Sequence, residues 1–250
     1  KASAIRGSRG DGYYLASCLG HEIAEPVPAL VQLHAADPLV KMAAGVRADA
    51  GITTWIDDKK TAFWQGELQI TDYGLSGIVV FQSSRLAAYG LLEKKDVCLE
   101  VDFLPEYAKT EAEELLQRRL QMREGNLTLE QSLQGLLHDK LIAPILKRAG
   151  LSAEKLAGDC DKEDVTRLLA ALRHYVVKIT DTHGFSNAQV TAGGVKTDRI
   201  DPKTMESELV PGLFFAGEVL DVDGICGGYN LQWAWSSGAL AGMHCIGKRK

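Results

Sequence analysis

The 250-residue sequence is poor in most of the features that would assign it quickly. Its five cysteines (Cys18, Cys98, Cys160, Cys226, Cys245) are odd in number and never stand in C-x-x-C spacing. That pattern alone supports neither a disulfide framework nor a zinc site, and it suits a reducing, cytoplasmic setting. No apolar run approaches the roughly 20 residues of a membrane span. No apolar core segment follows the opening Lys1-Ala2-Ser3-Ala4-Ile5-Arg6 to make a secretory signal. The expectation is a soluble chain with no membrane partner. Basic charge is not in surplus: 28 Lys and Arg stand against 33 Asp and Glu, a net charge of −5, which argues against general polyanion binding. Prolines number only seven against 25 glycines, so tight turns and close backbone approaches are expected, as nucleotide sites use them. With 46% hydrophobic and 24% charged residues, the chain is neither collagen, a disordered tail nor a disulfide scaffold. Its length suits one large or two ordinary domains, and the composition reads as globular α/β.

Along the chain, Gly7-Ser8-Arg9-Gly10-Asp11-Gly12 reads as a glycine-rich loop entering a short helix, Tyr13 to Leu19, closed by Gly20. From about Pro26 to Phe103 the pattern is one of strands. Asp57-Asp58-Lys59-Lys60 makes a hairpin candidate between Ile52–Ile56 and Ala62–Trp64, and Glu67–Thr71 and Val97–Val101 alternate with period 2. Ser84–Leu92 between them reads as a short helix. After Pro105 the pattern turns helical. Thr110-x-x-Glu113 and Thr128-x-x-Gln131 are capping-box signatures, followed by Leu115, Leu116, Leu120 and by Leu133, Leu136, Leu137. A further helix is expected over Lys162–His174. Residues 109–178 carry 12 Lys and Arg against 11 Asp and Glu, the balance of a solvated helical layer and not of a nucleic-acid patch. Strand signals return at Val176–Thr180, Gln189–Thr191 and Leu213–Ala216.

The last sixty residues carry the chemical signal. Pro211–Glu218 reads as a buried strand whose carboxyl end presents an acid, where open α/β sheets bind ligands. After it, Gly227-Gly228 would let backbone approach a flat ligand, and a helix from Leu231 to Leu240 would aim its free amides and dipole at that place. A flavin ring suits such a partner, because its N1/O2 edge gathers negative charge on reduction and a helix N-terminus steadies that charge by about 1 kcal/mol. On spacing alone other readings stay open. Gly227-Gly228 also reads as a plain turn, Glu218 as a surface acid, Thr191–Val195 as a strand bend, and Trp233 and Trp235 as helix packing. No His/Asp or Ser/His arrangement stands out as a separate acid–base pair.

Thr191-Ala192-Gly193-Gly194-Val195, Thr204-Met205-Glu206-Ser207 and the run Gly212–Gly238 together resemble the BaiN/RdsA-like NAD(P)/FAD-dependent oxidoreductases, flavoproteins also described as aminoacetone-oxidase-like. The resemblance extends to Gly10-Asp11-Gly12-Tyr13 and Gly74-Leu75-Ser76-Gly77, and so covers the chain. It implies the C-terminal part of a two-dinucleotide-binding-type FAD domain, residues 1–25 and 186–250, interrupted by an insert at 26–185 that is β-barrel-like over 26–104 and mainly helical over 105–185. The two outer segments are then expected to pack together. The resemblance also implies that Gly217-Glu218 contacts the flavin ribityl chain and that Gly227, Gly228, Tyr229 and Asn230 lie near the pyrimidine edge. Gly193-Gly194 would pass beside the ring, and Gly10, Asp11 and Gly12 would lie toward the active-site side. Cys226 and His183 are further residues of interest, each with a bland alternative; no metal is implied.

One departure stands out. The Gly-x-Gly-x-x-Gly that seats an FAD pyrophosphate on a helix N-terminus is absent from these 250 residues; Gly7, Gly10 and Gly12 have the wrong spacing. The chain also opens without methionine. The expectation is a family member without its nucleotide-clamping segment, binding FAD weakly by itself and inactive alone. For the intact protein the resemblance implies hydride transfer through FAD from NAD(P)H to an unsaturated or carbonyl small molecule. The alternatives are a non-catalytic binding module and an RNA-directed, dihydrouridine-forming flavin reductase, which the near-neutral insert disfavours.

Overall fold

A computed structural model of the chain describes residues 1–4, 7–121 and 126–246. Along it run α1 (Asp11–Cys18), β1 (Ile23–Ala29), β2 (Leu33–Ala35), α2 (Pro38–Met42), β3 (Arg47–Ile56), β4 (Lys59–Ile70), β5 (Gly74–Ser76), α3 (Ile78–Leu92) and β6 (Val97–Asp102). Then follow α4 (Lys109–Leu120), α5 (Leu129–Leu133), α6 (Asp139–Ala149), α7 (Lys162–Arg173), β7 (Tyr175–Thr182), β8 (Val190–Val195) and α8 (Tyr229–Ile246). The chain divides into two compact units, Lys1–Val31 with Thr182–Lys250, and Gln32–Asp181. The segment boundary expected at residue 26 falls inside β1, whose whole length pairs within the first unit.

In the unit of residues 32–181, six strands close into a barrel in the order β2-β5-β4-β3-β6-β7. Closure leaves no unpaired strand edge, which an open sheet of this size would expose. The β3–β4 hairpin turns at Asp57-Asp58, both at positive φ (47° and 59°), the backbone that a two-residue turn between right-twisted strands requires. Helix α3 starts six residues before the expected Ser84, because Gly77 (φ 96°) brings the chain against β4. A Cβ at Gly77 would lie 2.4 Å from the Glu67 carbonyl oxygen.

The helical layer packs on the barrel as one cluster, with Leu116, Leu133, Ile145 and Leu172 joining Ile52, Leu68, Leu99 and Val177. The Thr128/Gln131 box forms as expected, with Gln131 N donating to Thr128 Oγ1 at 3.3 Å and Thr128 N to Gln131 Oε1 at 3.0 Å. The other box is shifted. Helix α4 begins at Lys109, Glu111 and not Glu113 accepts from the preceding Ala108 N at 2.8 Å, and Thr110 lies inside the helix. That register places Ala112, Leu116 and Leu120 in one buried row. Helix α6 was not apparent in the sequence pattern, which Pro144 interrupts. It buries Leu141, Ile142, Ile145 and Leu146 and stops at Gly150 in the left-handed region (φ 69°). At the start of α7, buried Asp164 receives Lys155 Nζ at 2.5 Å, Arg167 at 2.6 Å and the Asp161 amide at 3.1 Å. The Lys155 hydrogen bond leads the effects that hold its carboxyl down to about 2.

In the unit of residues 1–31 and 182–250, β1 pairs antiparallel with β8, Ile23 opposite Val195 and Ala29 opposite Val190, with an irregularity between Ala24 and Val27 beside Pro26. The pairing joins segments far apart in sequence. One cluster of its core holds Ala16, Val195, Ile200, Met205, Phe215, Leu220 and Ala241, and Val27, Ala29, Leu30, Val190 and Ala192 are buried as well. His21 is buried, its Nε2 2.8 Å from Ser207 Oγ. That oxygen already accepts from the Leu209 and Val210 amides, so the Ser207 proton points to the imidazole.

The strand expected at Leu213–Ala216 does not form. This stretch makes a single bridge, Glu206 to Phe214, with Phe215 N bonded to Met205 O at 2.9 Å. Its partner is the short turn-bounded segment 205–207 and not a neighbouring strand, so its apolar run reflects local packing. Glu218 accordingly sits on a 3-10 turn, Gly217–Val219, and not at a strand end.

Candidate functional site

Gly217–Leu220 is a turn fastened to β8 and α8. Gly217 (φ 70°) donates its N–H to Ser237 Oγ at 2.9 Å and accepts the Trp233 indole N–H at 3.1 Å, which fastens the turn to α8. Leu220 bridges Val195, and Asp221 N donates to Val195 O at 2.8 Å, which fastens it to β8. Gly194 (φ 129°) makes this approach feasible, since a Cβ there would stand 2.6 Å from Val219 O. Gly193 has the same role toward β1, where a Cβ would stand 2.5 Å from Glu25 O. Both glycines are thus accounted for by backbone packing inside the unit.

On the outer side of this turn, Gly10, Asp11, Gly12 and Glu218 line one cavity of about 380 Å³, together with Lys1, Arg9, Tyr13 and Val219. Gly10 (φ 86°) precedes the first turn of α1, and a Cβ at Gly12 would meet Val219 Cγ2 at 3.2 Å, so α1 and the 217–219 turn stand in contact. Asp11 and Glu218 are exposed carboxylates with no hydrogen bond among the described residues. Two cationic side chains share the cavity with them, and the acceptors are presented without being consumed locally.

Tyr13, quoted in the resembling motif but not assigned a site role, also lines the cavity. Its ring lies over Gly10, where a Cβ would come within 2.9 Å of Cδ2. Burial, and then the charge of Glu218, push the phenol up from its ordinary value, against the pull of its hydrogen bond with Thr191. It therefore stands as a protonated donor at neutral pH.

Gly227, Gly228, Tyr229 and Asn230 form a separate feature at the start of α8. Asn230 clamps the loop, accepting from Gly224 N at 2.7 Å and donating to Gly224 O at 2.9 Å. Gly227 and Gly228 lie at φ 122° and 88°; a Cβ at Gly228 would meet nothing within 4 Å, so its backbone face is open. The first amides of α8 have no carbonyl one turn back to receive them. Burial raises the Cys226 thiol above its ordinary value, which disfavours the thiolate. His183 lies in the loop after β7 and does not line the cavity; its carbonyl accepts from Asn187 at 3.0 Å. Among the described residues, no group of three or more His, Cys, Asp or Glu could hold a metal ion. Among them also, no helix is long and apolar enough to cross a membrane.

Residues 1–244 match the HI0933-like protein Rossmann domain. The chain belongs to that family. It is 43% identical over 242 residues to the 3-dehydro-bile acid delta(4,6)-reductase of Clostridium scindens, a match covering 97% of this chain and 59% of the relative. It is 32% identical over 228 residues to the ribosomal RNA dihydrouridine synthase of Haemophilus influenzae (90% of this chain, 53% of the relative). The enzyme of that name from Escherichia coli is 32% identical over 229 residues (90% and 54%). The chain thus spans between half and three-fifths of the length of these relatives. The resemblance drawn from its motifs holds, and the fold is a Rossmann-family unit with a six-stranded barrel and helical layer.

Proposed function

We propose that this chain contributes the ribityl- and ring-side part of an FAD site in a two-dinucleotide-binding-type flavoenzyme. The reaction is reduction of a conjugated or carbonyl small molecule at the expense of NAD(P)H. The observation that carries the reading is the convergence of Asp11 and Glu218, some two hundred residues apart in sequence, on one cavity. The donor set fits the polyol part of a flavin nucleotide: two carboxylates without local partners accept hydroxyl protons well, and Tyr13 supplies a neutral donor between them and Thr191. FAD, when bound, supplies the hydride-accepting and hydride-donating centre. In this arrangement Glu218 and Asp11 hold sugar hydroxyls, Lys1 and Arg9 balance charge at the rim, and the amides at the start of α8 favour negative charge at a ring edge.

The 43% identity to a bile-acid reductase supports a small-molecule enone as substrate class over the RNA of the more distant relatives, and the near-neutral charge of residues 109–178 agrees with that preference. Because no Gly-x-Gly-x-x-Gly occurs in the 250 residues, FAD should bind the chain by itself weakly. A protein extended to the length of its relatives should bind it well, since several charge-assisted hydrogen bonds of about 1.5–3 kcal/mol each are otherwise unmade. Titrating FAD into both forms and following flavin fluorescence tests this. The expected result is at least a tenfold loss of affinity in the extended Glu218→Gln variant; affinity unchanged by that variant, or absent from the extended protein, refutes the assignment.

A further inference from the structure

Residues 109–178 are near neutral as a whole, yet their cations are unevenly placed. At the end of α6 and along the second half of α7, Arg148, Arg167 and His174 line one cavity of about 260 Å³, with Ala149, Ala170 and Ala171 as the rest of its lining. Nothing larger than a methyl group stands between these three side chains.

Cations near helix C-termini often serve carbonyls that have lost their partners. Here the backbone serves them. Leu146 O and Lys147 O of α6 accept from Leu151 N and Gly150 N at 3.0 and 3.2 Å, and Ala170 O and Leu172 O of α7 accept from His174 N and Phe103 N at 2.8 and 2.9 Å. The three side chains are instead held by groups that leave part of each free. Arg148 lies 5.1 Å from the centroid of the Tyr175 ring and donates Nη2–H to Val176 O at 3.4 Å. Arg167 donates Nη2–H to Asp164 at 2.6 Å, and His174 turns Nδ1 to Glu100 Oε1 at 3.2 Å. A guanidinium carries five N–H donors, so each arginine keeps donors with no partner among the described residues. The charge is not cancelled either. Lys155 and Arg167 share the single carboxylate of Asp164, and Arg148 has no carboxylate partner among the described residues.

We propose that this cavity binds the phosphate of a small phosphate monoester. Two planar donor forks and an imidazole suit a tetrahedral oxyanion, and the surplus from Arg148 and from the Lys155–Asp164–Arg167 group suits a dianion. The alanines leave room for the carbon that carries the ester. A nucleic-acid backbone would call for a track of cations running on from the cavity, which the near-neutral balance of residues 109–178 does not supply. The inference is independent of the flavin reading, because every lining residue belongs to the unit of residues 32–181 and none to the unit that carries Asp11 and Glu218.

The test is calorimetric titration of phenyl phosphate into the full 250-residue chain, with ionic strength held constant by chloride. The expected result is one saturable site with a dissociation constant of about 1 mM or tighter, for which inorganic phosphate competes. Arg148→Gln weakens it at least tenfold, and Arg148→Lys, which keeps the charge and loses the fork, weakens it less. Circular dichroism and melting stay unchanged in both, because Arg148 is exposed. Arg118→Gln, which removes a cation of α4 outside the cavity, leaves binding intact. Uptake that never saturates, as ionic screening alone would give, overturns the proposal. So does a site indifferent to Arg148→Gln, or tighter binding of a single-stranded oligonucleotide without terminal phosphates, which assigns the cations to a phosphodiester backbone.

Discussion

In the unit of residues 32–181, a closed barrel and its helical layer share one cluster of buried side chains, and every long helix there hides an apolar row. In the unit of residues 1–31 and 182–250, a two-stranded sheet and two helices distribute their buried side chains over smaller clusters, and among the described residues most of the exposed large apolar side chains belong to it. The first unit satisfies its own hydrophobic surface. The second is held by backbone devices: glycines at positive φ, a turn fastened on two sides, and a serine shared by two amides and a histidine. The carboxylates of the candidate site sit on the second unit. Backbone contacts around Gly194 and the 217–220 turn set the geometry in which those carboxylates are held.

Substitutions can break or sharpen this contrast. The largest effect is expected in the barrel core: Leu99→Ala or Ile52→Ala, both fully buried, should cost about 3 kcal/mol, read as a lowered thermal midpoint of that unit. Gly194→Ala should cost about 2–3 kcal/mol in the other unit, since it combines φ 129° with a Cβ 2.6 Å from Val219 O. Hydrogen exchange should show it as lost protection at Leu220 and Asp221 with the barrel amides unchanged.

Asp164→Asn should cost about 1–2 kcal/mol, through lost capping and two half-exposed cationic partners. Its folded-state pKa, about 2, lies below the ordinary 3.8, so its contribution is complete above about pH 4 and disappears as pH falls toward 2. Acid titration of stability should therefore be flatter in the Asn variant over that range. Tyr13→Phe should cost about 1 kcal/mol by removing the Thr191 bond. Glu218→Gln should change stability by less than about 0.5 kcal/mol, because the carboxylate makes no internal hydrogen bond.

Much of this was legible in the sequence where local chemistry decides the outcome. The Asp57-Asp58 hairpin, the Thr128/Gln131 box and the end of α1 at Gly20 follow from the backbone preferences of those few residues. At Leu213–Ala216 periodicity and apolarity cannot tell a strand from a segment that packs against a single short turn. Pro144 breaks the pattern that would announce helix α6, although the proline is tolerated within the helix. At the candidate site, Asp11 and Glu218 were named from motif resemblance, but their meeting at one cavity is a property of the fold. The motif that includes Tyr13 gives it no role, because what distinguishes this tyrosine is its setting beside Thr191 and Glu218. Gly193 and Gly194 were flagged for ligand approach, and their immediate cause is the backbone of β1 and of residues 219–220.

The most direct test of the functional account is spectroscopic, on a protein extended to the length of its relatives. The account predicts that it purifies with flavin bands that bleach on adding NAD(P)H and return on adding a conjugated steroid enone, and that Glu218→Gln lowers flavin content at least tenfold at equal protein. A protein of that length that purifies colourless and takes up no added FAD, or whose reduced flavin ignores every enone and carbonyl offered, contradicts it.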